Sequence, residues 1–307
     1  MSVDFIIAAI ITVVGLTTPI LLAALGELVV EKSGVLNLGV EGMMLIGAIS
    51  GFGVTVMTGN PWVGVLGAAA GGATSALLFG VLVLGLNSNQ VATGLALTIF
   101  GTGLSSLLGL SFVGRIIIPF QSIFPASLAR DPVWQILFGY SPIVYFALIM
   151  VPVVMWFLKS TRAGLILRAV GENDLSAHSI GYSVVGVRYA AIAFGGAMAG
   201  IGGAYFSMVI TPMWAEKMTA GRGWIALALV VFAGWRAGRL LAGAYFFGIL
   251  MALELYAKAS GFSFLPSQFW AAMPYLMTVI ALAVISSRKN AGGNAPACLG
   301  KPFLPST

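Results

Sequence analysis

Three carboxylates, a lysine and an asparagine fall close together between two long apolar runs near the start of the chain: Glu27, Glu31, Lys32, Asn37 and Glu41. Ionisable side chains beside apolar sequence are costly to bury and usually face a cavity or a partner. We interpret Glu27, Glu31 and Lys32 as solvated side chains of a simple turn. Asn37 and Glu41 are embedded in Val-Leu-Asn-Leu-Gly-Val-Glu-Gly-Met-Met, which predicts a broken helix inside a bundle.

Uncharged hydrogen-bonding residues open a later apolar run. Asn89, Gln90 and Thr93 lie in Asn-Ser-Asn-Gln-Val-Ala-Thr-Gly, and such groups suit a neutral polar solute better than an ion. They can equally form an N-cap, which asparagine readily supplies. We predict a polar solute pathway lined by seven side chains along the whole chain: Asn37, Glu41, Asn89, Gln90, Thr93, Arg222 and Gln268.

The sequence lacks the residues that common enzyme active sites require. The single histidine, His178, excludes a multi-histidine metal cluster and an H-E-x-x-H zinc site, and we interpret it as a solvated loop residue. No G-x-S-x-G nucleophile elbow and no G-x-x-x-x-G-K-[ST] nucleotide loop occurs. The single cysteine, Cys298, excludes an intramolecular disulfide. Glu254 and Lys258, four positions apart, are expected to pair on a helix. An intramembrane enzyme is disfavoured, and we expect this chain to bind no metal and no cofactor.

The composition identifies the elements that must position these groups. The 307 residues are 59% hydrophobic and 8% charged, whereas soluble domains have about 25% charged residues. The mean hydropathy of +1.03 agrees. The net charge of +6 is spread over sparse basic residues without interleaved aromatics, which argues against a nucleic-acid partner. We expect membrane lipid to surround the chain.

Apolar runs of about 20 residues are long enough to cross a membrane as helices. They predict an all-α, polytopic transmembrane bundle of about 8–10 spans, some of them broken or re-entrant. The apolar runs fall at residues 5–28, 42–58, 61–86, 91–110, 141–158, 188–210, 223–235, 240–257 and 273–286. Glycines four apart, such as Gly47 with Gly51 and Gly196 with Gly200, predict close helix packing.

The two halves of the chain echo each other. Glu41 and Gln90 each open an apolar run, 49 positions apart, and Arg222 and Gln268 do so 46 positions apart. With an odd number of spans between corresponding elements, the halves would be inverted repeats. Interrupted helices of such repeats meet near the middle of the membrane in transporters.

Lysine and arginine in short loops indicate the cytoplasmic side. We expect a single transmembrane domain over residues 1–307, with a cytoplasmic loop at 158–188, an external loop at 111–140 and a cytoplasmic tail at 287–307. Counting the spans back places the N-terminus outside, unless one early segment is re-entrant. Within the 158–188 loop, Asn173 or Asp174 can cap a short helix that Gly181 closes in a left-handed conformation. Such a helix can carry force from a cytoplasmic partner to the bundle.

Five segments together resemble one family of membrane permeases. Residues 26–48 resemble the signature of ATP-binding-cassette (ABC) importer permeases for nucleosides and simple sugars, a group that includes ribose and branched-chain amino-acid permeases. The other matching segments are 167–173, 218–228, 265–268 and 299–303. The segment 175–181 departs from the expected alanine-rich helix by its serines and histidine.

The resemblance implies a machine of several subunits in the bacterial inner membrane. This chain would pair with a second homologous permease, most simply as a heterodimer, and with a periplasmic or lipoprotein substrate-binding protein. A cytoplasmic ATPase would use ATP and Mg²⁺ and dock on the helix near Glu172–Gly181. The residues expected to couple the ATPase to the transmembrane bundle are Arg168, Glu172, Asn173, Asp174, Ala177 and Gly181.

Purine-type nucleosides are the first expected solute, and a simple sugar carried by the same kind of importer is the alternative. A secondary transporter that needs no ATPase is a third possibility. Ion coupling usually requires buried acids, and only Glu41 and Glu254 qualify, which disfavours that class.

Overall fold

The computed structural model describes residues 3–120, 122–124, 132–259, 266–286 and 295–304. Within these ranges the chain is helical apart from its connections and one isolated antiparallel bridge between Ile116 and Met213. The α-helices are α1 Val3–Lys32, α2 Val40–Thr58, α3 Pro61–Gly80, α4 Gln90–Gly109, α5 Pro132–Phe138, α6 Pro142–Ser160, α7 Arg162–Glu172, α8 Asp174–Ser179, α9 Val184–Tyr205, α10 Arg222–Phe232, α11 Ala237–Ala259 and α12 Ser267–Ser286.

Seven helices among the described residues are long and apolar enough to cross a membrane, which confirms a polytopic helical bundle. Two of them end in a π-helical segment, Val81–Gly85 after α3 and Phe206–Ile210 after α9. The apolar run predicted at 223–235 forms α10, which has 11 residues. At about 1.5 Å per residue, α10 is too short to cross the hydrocarbon core alone.

The local sequence explains where the helices begin. Asn60 caps α3, its side chain accepting from Trp62 N at 2.9 Å, and Pro61 fills the first helical position. Thr161 caps α7 by accepting from Gly164 N at 3.0 Å. Such caps satisfy N–H groups that have no partner within the helix. The break between α6 and α7 therefore lies at Thr161.

Glycines bring the backbones of α2, α3 and α9 together at the centre of the bundle. A Cβ on Gly47 would overlap Gly200 of α9, and a Cβ on Gly196 would overlap Gly72 of α3. Small residues permit this close approach, as the glycine spacing predicts. Gly234 and Gly238 are also four apart, but Gly234 lies in the turn between α10 and α11 with a φ of +59°, so this pair is not within one helix.

The order of elements fits the predicted relation between the two halves. Glu41, Gln90, Arg222 and Gln268 each lie at the first or second position of a helix, namely α2, α4, α10 and α12. In each half, one long helix precedes a connection and three further helices. The inverted symmetry itself remains a prediction.

The 111–140 region, which is predicted to be an external loop, packs against the bundle. In the 111–140 region, Ile117 N donates to Pro212 O at 3.1 Å and Phe120 N donates to Met208 O at 3.0 Å, so this loop packs beside the end of α9. The region also contains one short helix, α5. Residues 125–131, which include Arg130 and Asp131, lie outside the described residues, as does the tail between 287 and 294.

We call the end of the bundle that carries α7 and α8 the coupling end. The C-terminus of α1 lies at this end, because a Cβ on Gly171 of α7 would overlap the Lys32 carbonyl. Trp235, which follows α10, also lies there, since its indole donates to Glu31 at 2.5 Å. The 111–140 loop lies at the opposite end.

Candidate functional site

The Glu41 carboxylate binds the N-terminus of α10. Its Oε1 accepts from Thr219 Oγ1 at 2.6 Å and from Gly221 N at 2.7 Å, and its Oε2 accepts from Gly223 N at 2.6 Å. The first N–H groups of a helix have no partner within it, and the helix dipole there favours a negative charge. Glu41 therefore joins the start of α2 to the start of α10.

Two glycines make this approach possible. Gly221 has a φ of +79°, a left-handed conformation that other residues adopt only with strain. A Cβ on Gly223 would lie 2.6 Å from Glu41 Cα and 2.7 Å from its Oε2. The Thr-Ala-Gly-Arg-Gly sequence at 219–223 is thus shaped to receive a carboxylate.

The two helices run in opposite directions from this junction. α10 leads from Glu41 toward the coupling end, where Trp235 contacts Glu31. α2 leads away, and near its end Thr55 lines a cavity with Ile116 of the 111–140 loop. Two helix N-termini therefore meet inside the bundle, the arrangement that transporters use around a solute site.

Arg222 supplies a cation beside the junction. Its guanidinium lies over the Phe206 ring, 4.8 Å from the centroid, and its Nη1 donates to the Met218 and Thr219 carbonyls at 3.4 and 3.3 Å. Its Nε is buried without a hydrogen-bond partner among the described residues. A buried donor of this kind can bind a hydroxyl or carbonyl oxygen of a passing solute.

Asn37 is buried and shapes the connection before α2. Its backbone N donates to Glu27 Oε1 at 3.2 Å, and its side-chain oxygen accepts from Gly39 N at 2.9 Å. This second bond forms an Asx turn. Asn37 is thus inside the bundle, as predicted; its side-chain oxygen belongs to the turn, and its amide nitrogen donates to Met43 Sδ at 3.4 Å.

The side chains at the start of α4 that were predicted to line the solute pathway have different roles in the structure. Asn89 is exposed and caps α4, accepting from Ala92 N at 3.0 Å. Gln90 is buried, accepts from Leu36 N at 2.8 Å and donates to the Lys301 carbonyl at 3.4 Å. Thr93 pairs with Ser88 through their hydroxyls at 2.8 Å. These groups hold the connection before α2 and the C-terminal segment in place.

Gln268 is exposed at the second position of α12. A second α12 side chain, Tyr275, reaches the junction, where its hydroxyl donates to the Ala220 carbonyl at 2.6 Å. The structure therefore brings Glu41, Arg222 and Tyr275 together. Tyr275 lies within the apolar run at 273–286, where no motif distinguishes it.

The interpretation of Glu27 and Glu31 as solvated side chains is wrong. Both are 1% exposed, because α1 continues to Lys32 and turns them into the bundle. Glu27 accepts from Asn37 N, and Glu31 accepts from the indole of Trp235. Lys32 is half-buried. Their spacing of four, which places them on one helix face, was the available signal.

At the coupling end, α8 has the predicted caps. Asn173 accepts from Ser176 N at 2.9 Å, and Gly181 has a φ of +93°. Asp174 and Ala177 face inward, and Ala177 packs with Val170 and Val184. Arg168 is half-buried on α7, and Glu172 and Asn173 are exposed.

A fully buried arginine anchors α8. Arg188 of α9 has its Nη2 3.1 Å from Asp174 Oδ2, and its Nε donates to the Ser33 carbonyl at 3.2 Å. Burial of a charge requires such a partner. In the sequence, Arg188 is only one of the basic residues that indicate the cytoplasmic side, and nothing marks it as buried.

The segment around Cys298 also binds the coupling end. Cys298 N donates to the Gly171 carbonyl at 2.9 Å, and Gly300 N donates to the Gly34 carbonyl at 3.1 Å. The Phe303 ring lies 5.4 Å from the ring of His178. This C-terminal segment therefore joins α7, α8 and the connection before α2. His178 is exposed, as predicted.

Within the described part of the chain, seven helices long and apolar enough to cross a membrane, with two helix N-termini meeting at a buried carboxylate, define a multi-pass membrane protein. Over residues 9–282 the chain matches the family described as "Branched-chain amino acid transport system / permease component". This chain belongs to that family, and it is an ABC importer permease, as the sequence motifs predicted.

Three relatives are similar along most of their length. A protein named a glucose ABC transporter permease, from Haloferax volcanii, is 42% identical and covers 87% of this chain and 88% of its own. A guanosine ABC transporter permease of Bacillus subtilis is 29% identical over 93% of both chains. A nucleoside ABC transporter permease of Lactococcus lactis is 30% identical, covering 87% of this chain and 89% of its own.

Proposed function

We propose that this chain forms one half of the translocation pathway of an ATP-driven importer for nucleosides. A second, homologous permease supplies the other half, and a separate ATPase docks on α8 at the coupling end. ATP and Mg²⁺ bind to that ATPase, and this chain holds no cofactor. The chain lies in the inner membrane of the cell, and its C-terminus is in the cytoplasm. A substrate-binding protein delivers the solute from outside this membrane.

The inner and outer sides of α8 and of the turn that follows it carry the proposal. The inner side is fixed by Asp174 and Ala177, whereas Leu175 of α8 and Ile180 and Tyr182 of the following turn have side chains that are 50%, 71% and 39% exposed. Apolar side chains exposed at the end of a membrane bundle, beyond its apolar spans, favour a protein partner. A short helix rigidly attached to α9 through Arg188 transmits the movement of that partner to the bundle.

The junction between α2 and α10 supports a neutral, hydroxyl-bearing solute. Both oxygens of the Glu41 carboxylate already accept hydrogen bonds from the start of α10, and the Arg222 Nε is an available donor. Nucleosides and sugars both present hydroxyl acceptors. Two relatives are named for guanosine or nucleosides, which favours the first solute. The relative named for glucose is 42% identical, which favours a sugar as the second candidate.

Replacing the exposed apolar residues Leu175 and Ile180 tests whether the ATPase docks at α8. The double variant Leu175→Ser/Ile180→Ser should lose copurification with the ATPase while the permease still inserts into the membrane. Leu165→Ser is the matched control, because Leu165 of α7 is also exposed, at 59%. Wild-type copurification of the double variant would contradict the assignment of α8.

Binding of labelled guanosine and of labelled glucose to the cognate substrate-binding protein distinguishes the two solutes. We expect guanosine to bind and to be displaced by other purine nucleosides. Binding of glucose with no response to guanosine would reject the nucleoside and support the sugar.

A further inference from the structure

The coupling end holds a cavity of about 550 Å³ between the ends of α1 and α6, the start of α11 and one face of α7. It is separate from the Glu41 junction and from α8. Five cationic side chains and one tryptophan line it: Lys32, Lys159, Arg168, Trp235, Arg236 and Arg239. These residues come from four parts of the chain, so the cluster arises only in the folded protein.

Positive charge dominates this cavity. None of the residues recorded around it is a carboxylate. Of the nearby acids in the described part of the chain, Glu31 is buried and accepts from Trp235, and Glu172 interacts electrostatically with Lys32. Five like charges around one space repel one another. An anion in the cavity would relieve that repulsion.

Arg168 gives a second, independent indication of a ligand. Its Nε is buried and has no hydrogen-bond partner among the described residues. Buried donors are nearly always paired in folded proteins, so an acceptor is expected at this position. Arginine also binds phosphate oxygens in a bidentate geometry.

The location of the cavity selects the kind of anion. Its wall includes Met155 and Leu158 from the last turns of α6, and Trp156 beside them is 63% exposed. Tryptophan is enriched at the level of lipid headgroups. A cavity with basic residues at its rim and an apolar wall at the end of a span matches a phospholipid, whose phosphate is followed by acyl chains.

We propose that this cavity binds the phosphate group of an anionic phospholipid. The cations hold the phosphate, Trp235 and the α6 wall contact the glycerol and upper acyl chains, and the bound lipid fixes α7 relative to α1 and α6. This ligand is additional to the transported solute and to the ATPase.

Lipid retention by the purified full chain tests the proposal. The detergent-solubilised chain is titrated with phosphatidylglycerol, with phosphatidylcholine and with inorganic phosphate, and bound ligand is measured by native mass spectrometry. The double variant Arg236→Gln/Arg239→Gln and the single variant Arg168→Gln remove cavity cations. Arg162→Gln is the matched control, because Arg162 is an exposed cation of α7 outside the cavity.

The wild-type chain and Arg162→Gln should bind phosphatidylglycerol at least tenfold more tightly than phosphatidylcholine, since each basic residue near a membrane surface favours anionic lipid. The double variant should lose most of that preference, and Arg168→Gln should lose part of it. Thermal unfolding midpoints measured without lipid identify any variant that fails to fold.

Four outcomes would overturn the proposal. Equal binding of the two lipids would remove the anionic preference, and an unchanged preference in both cavity variants would place the lipid elsewhere. Binding of inorganic phosphate without lipid preference would identify a free anion as the ligand. Loss of ATPase copurification in the double variant with lipid retention intact would assign the cations to the protein partner.

Discussion

Arg188 of α9 holds Asp174 of α8 in a buried ion pair, with Nη2 3.1 Å from Oδ2. The same guanidinium donates from Nε to the Ser33 carbonyl, just after α1. One side chain thus connects α8 with two long spans. Charge-assisted hydrogen bonds are short and strong, so displacement of α8 should move α9 with it.

Asp174→Ala should destabilise the protein strongly. It leaves Arg188 buried without its counter-ion, which typically costs about 3–5 kcal/mol. The midpoint of thermal unfolding in detergent measures this effect. Glu254→Ala is the control, because the Glu254–Lys258 pair at 2.7 Å is largely solvent-accessible and should contribute about 0.5 kcal/mol or less. Equal shifts in the two variants would contradict the structural role of Arg188.

Glu41→Gln should reduce solute uptake by about tenfold or more. Glutamine keeps the shape, but it loses the charge that favours the α10 N-terminus, and its amide NH₂ would face a backbone N–H. Uptake into cells or proteoliposomes measures the effect. Glu216→Gln is the control, because Glu216 is exposed and accepts one hydrogen bond from Ser106 at 3.2 Å. If Glu41→Gln takes up solute at the wild-type rate, the junction is not part of the solute pathway.

Gly171→Ala should loosen the C-terminal segment. The added Cβ would overlap the Lys32 carbonyl, so α7 must move away from α1 and from the Cys298 backbone bond. Because Cys298 is the single cysteine, the rate of maleimide labelling reports this movement directly. We expect faster labelling than in the wild type.

Gly103→Ala is the matched control for that experiment. A Cβ on Gly103 of α4 would meet nothing within 4 Å, and alanine favours a helix over glycine by about 1 kcal/mol. Its labelling rate should equal that of the wild type. Equal rates in both variants would show that the C-terminal segment does not depend on the contact at Gly171.

Gly181→Ala should uncouple ATP hydrolysis from transport. Its φ of +93° is unfavourable for alanine, so the end of α8 must change its geometry. Glu172→Ala should act in the same direction, because Glu172 lies exposed just before α8. The ratio of ATP hydrolysed to solute transported measures coupling in proteoliposomes. An unchanged ratio in both variants would remove α8 from the coupling path.

Local signals predicted the long helices and both ends of α8. The apolar runs, the cap at Asn173 and the left-handed Gly181 each depend on a few neighbouring residues, and the structure agrees with them. The burial of Asn37 and Glu41 followed from their apolar neighbours. These features required no knowledge of which helices pack together.

Contacts between distant parts of the chain could not be predicted in the same way. Glu41 meets Gly223, which is 182 positions later, and Gln90 meets the Lys301 carbonyl. The error at Glu27 and Glu31 has the same origin, because Glu31 meets Trp235 after α10 and Glu27 meets the backbone of Asn37. The packing of α1 against α9, α10 and α11 makes that end of α1 an interior position.

ATP-dependent uptake of labelled guanosine into proteoliposomes tests the central claim most directly. The vesicles contain this chain, its partner permease and the ATPase, with the binding protein outside. The account predicts accumulation only when ATP is present on the ATPase side, and none with the Leu175→Ser/Ile180→Ser variant. Equal accumulation without ATP, driven by an ion gradient, would contradict it.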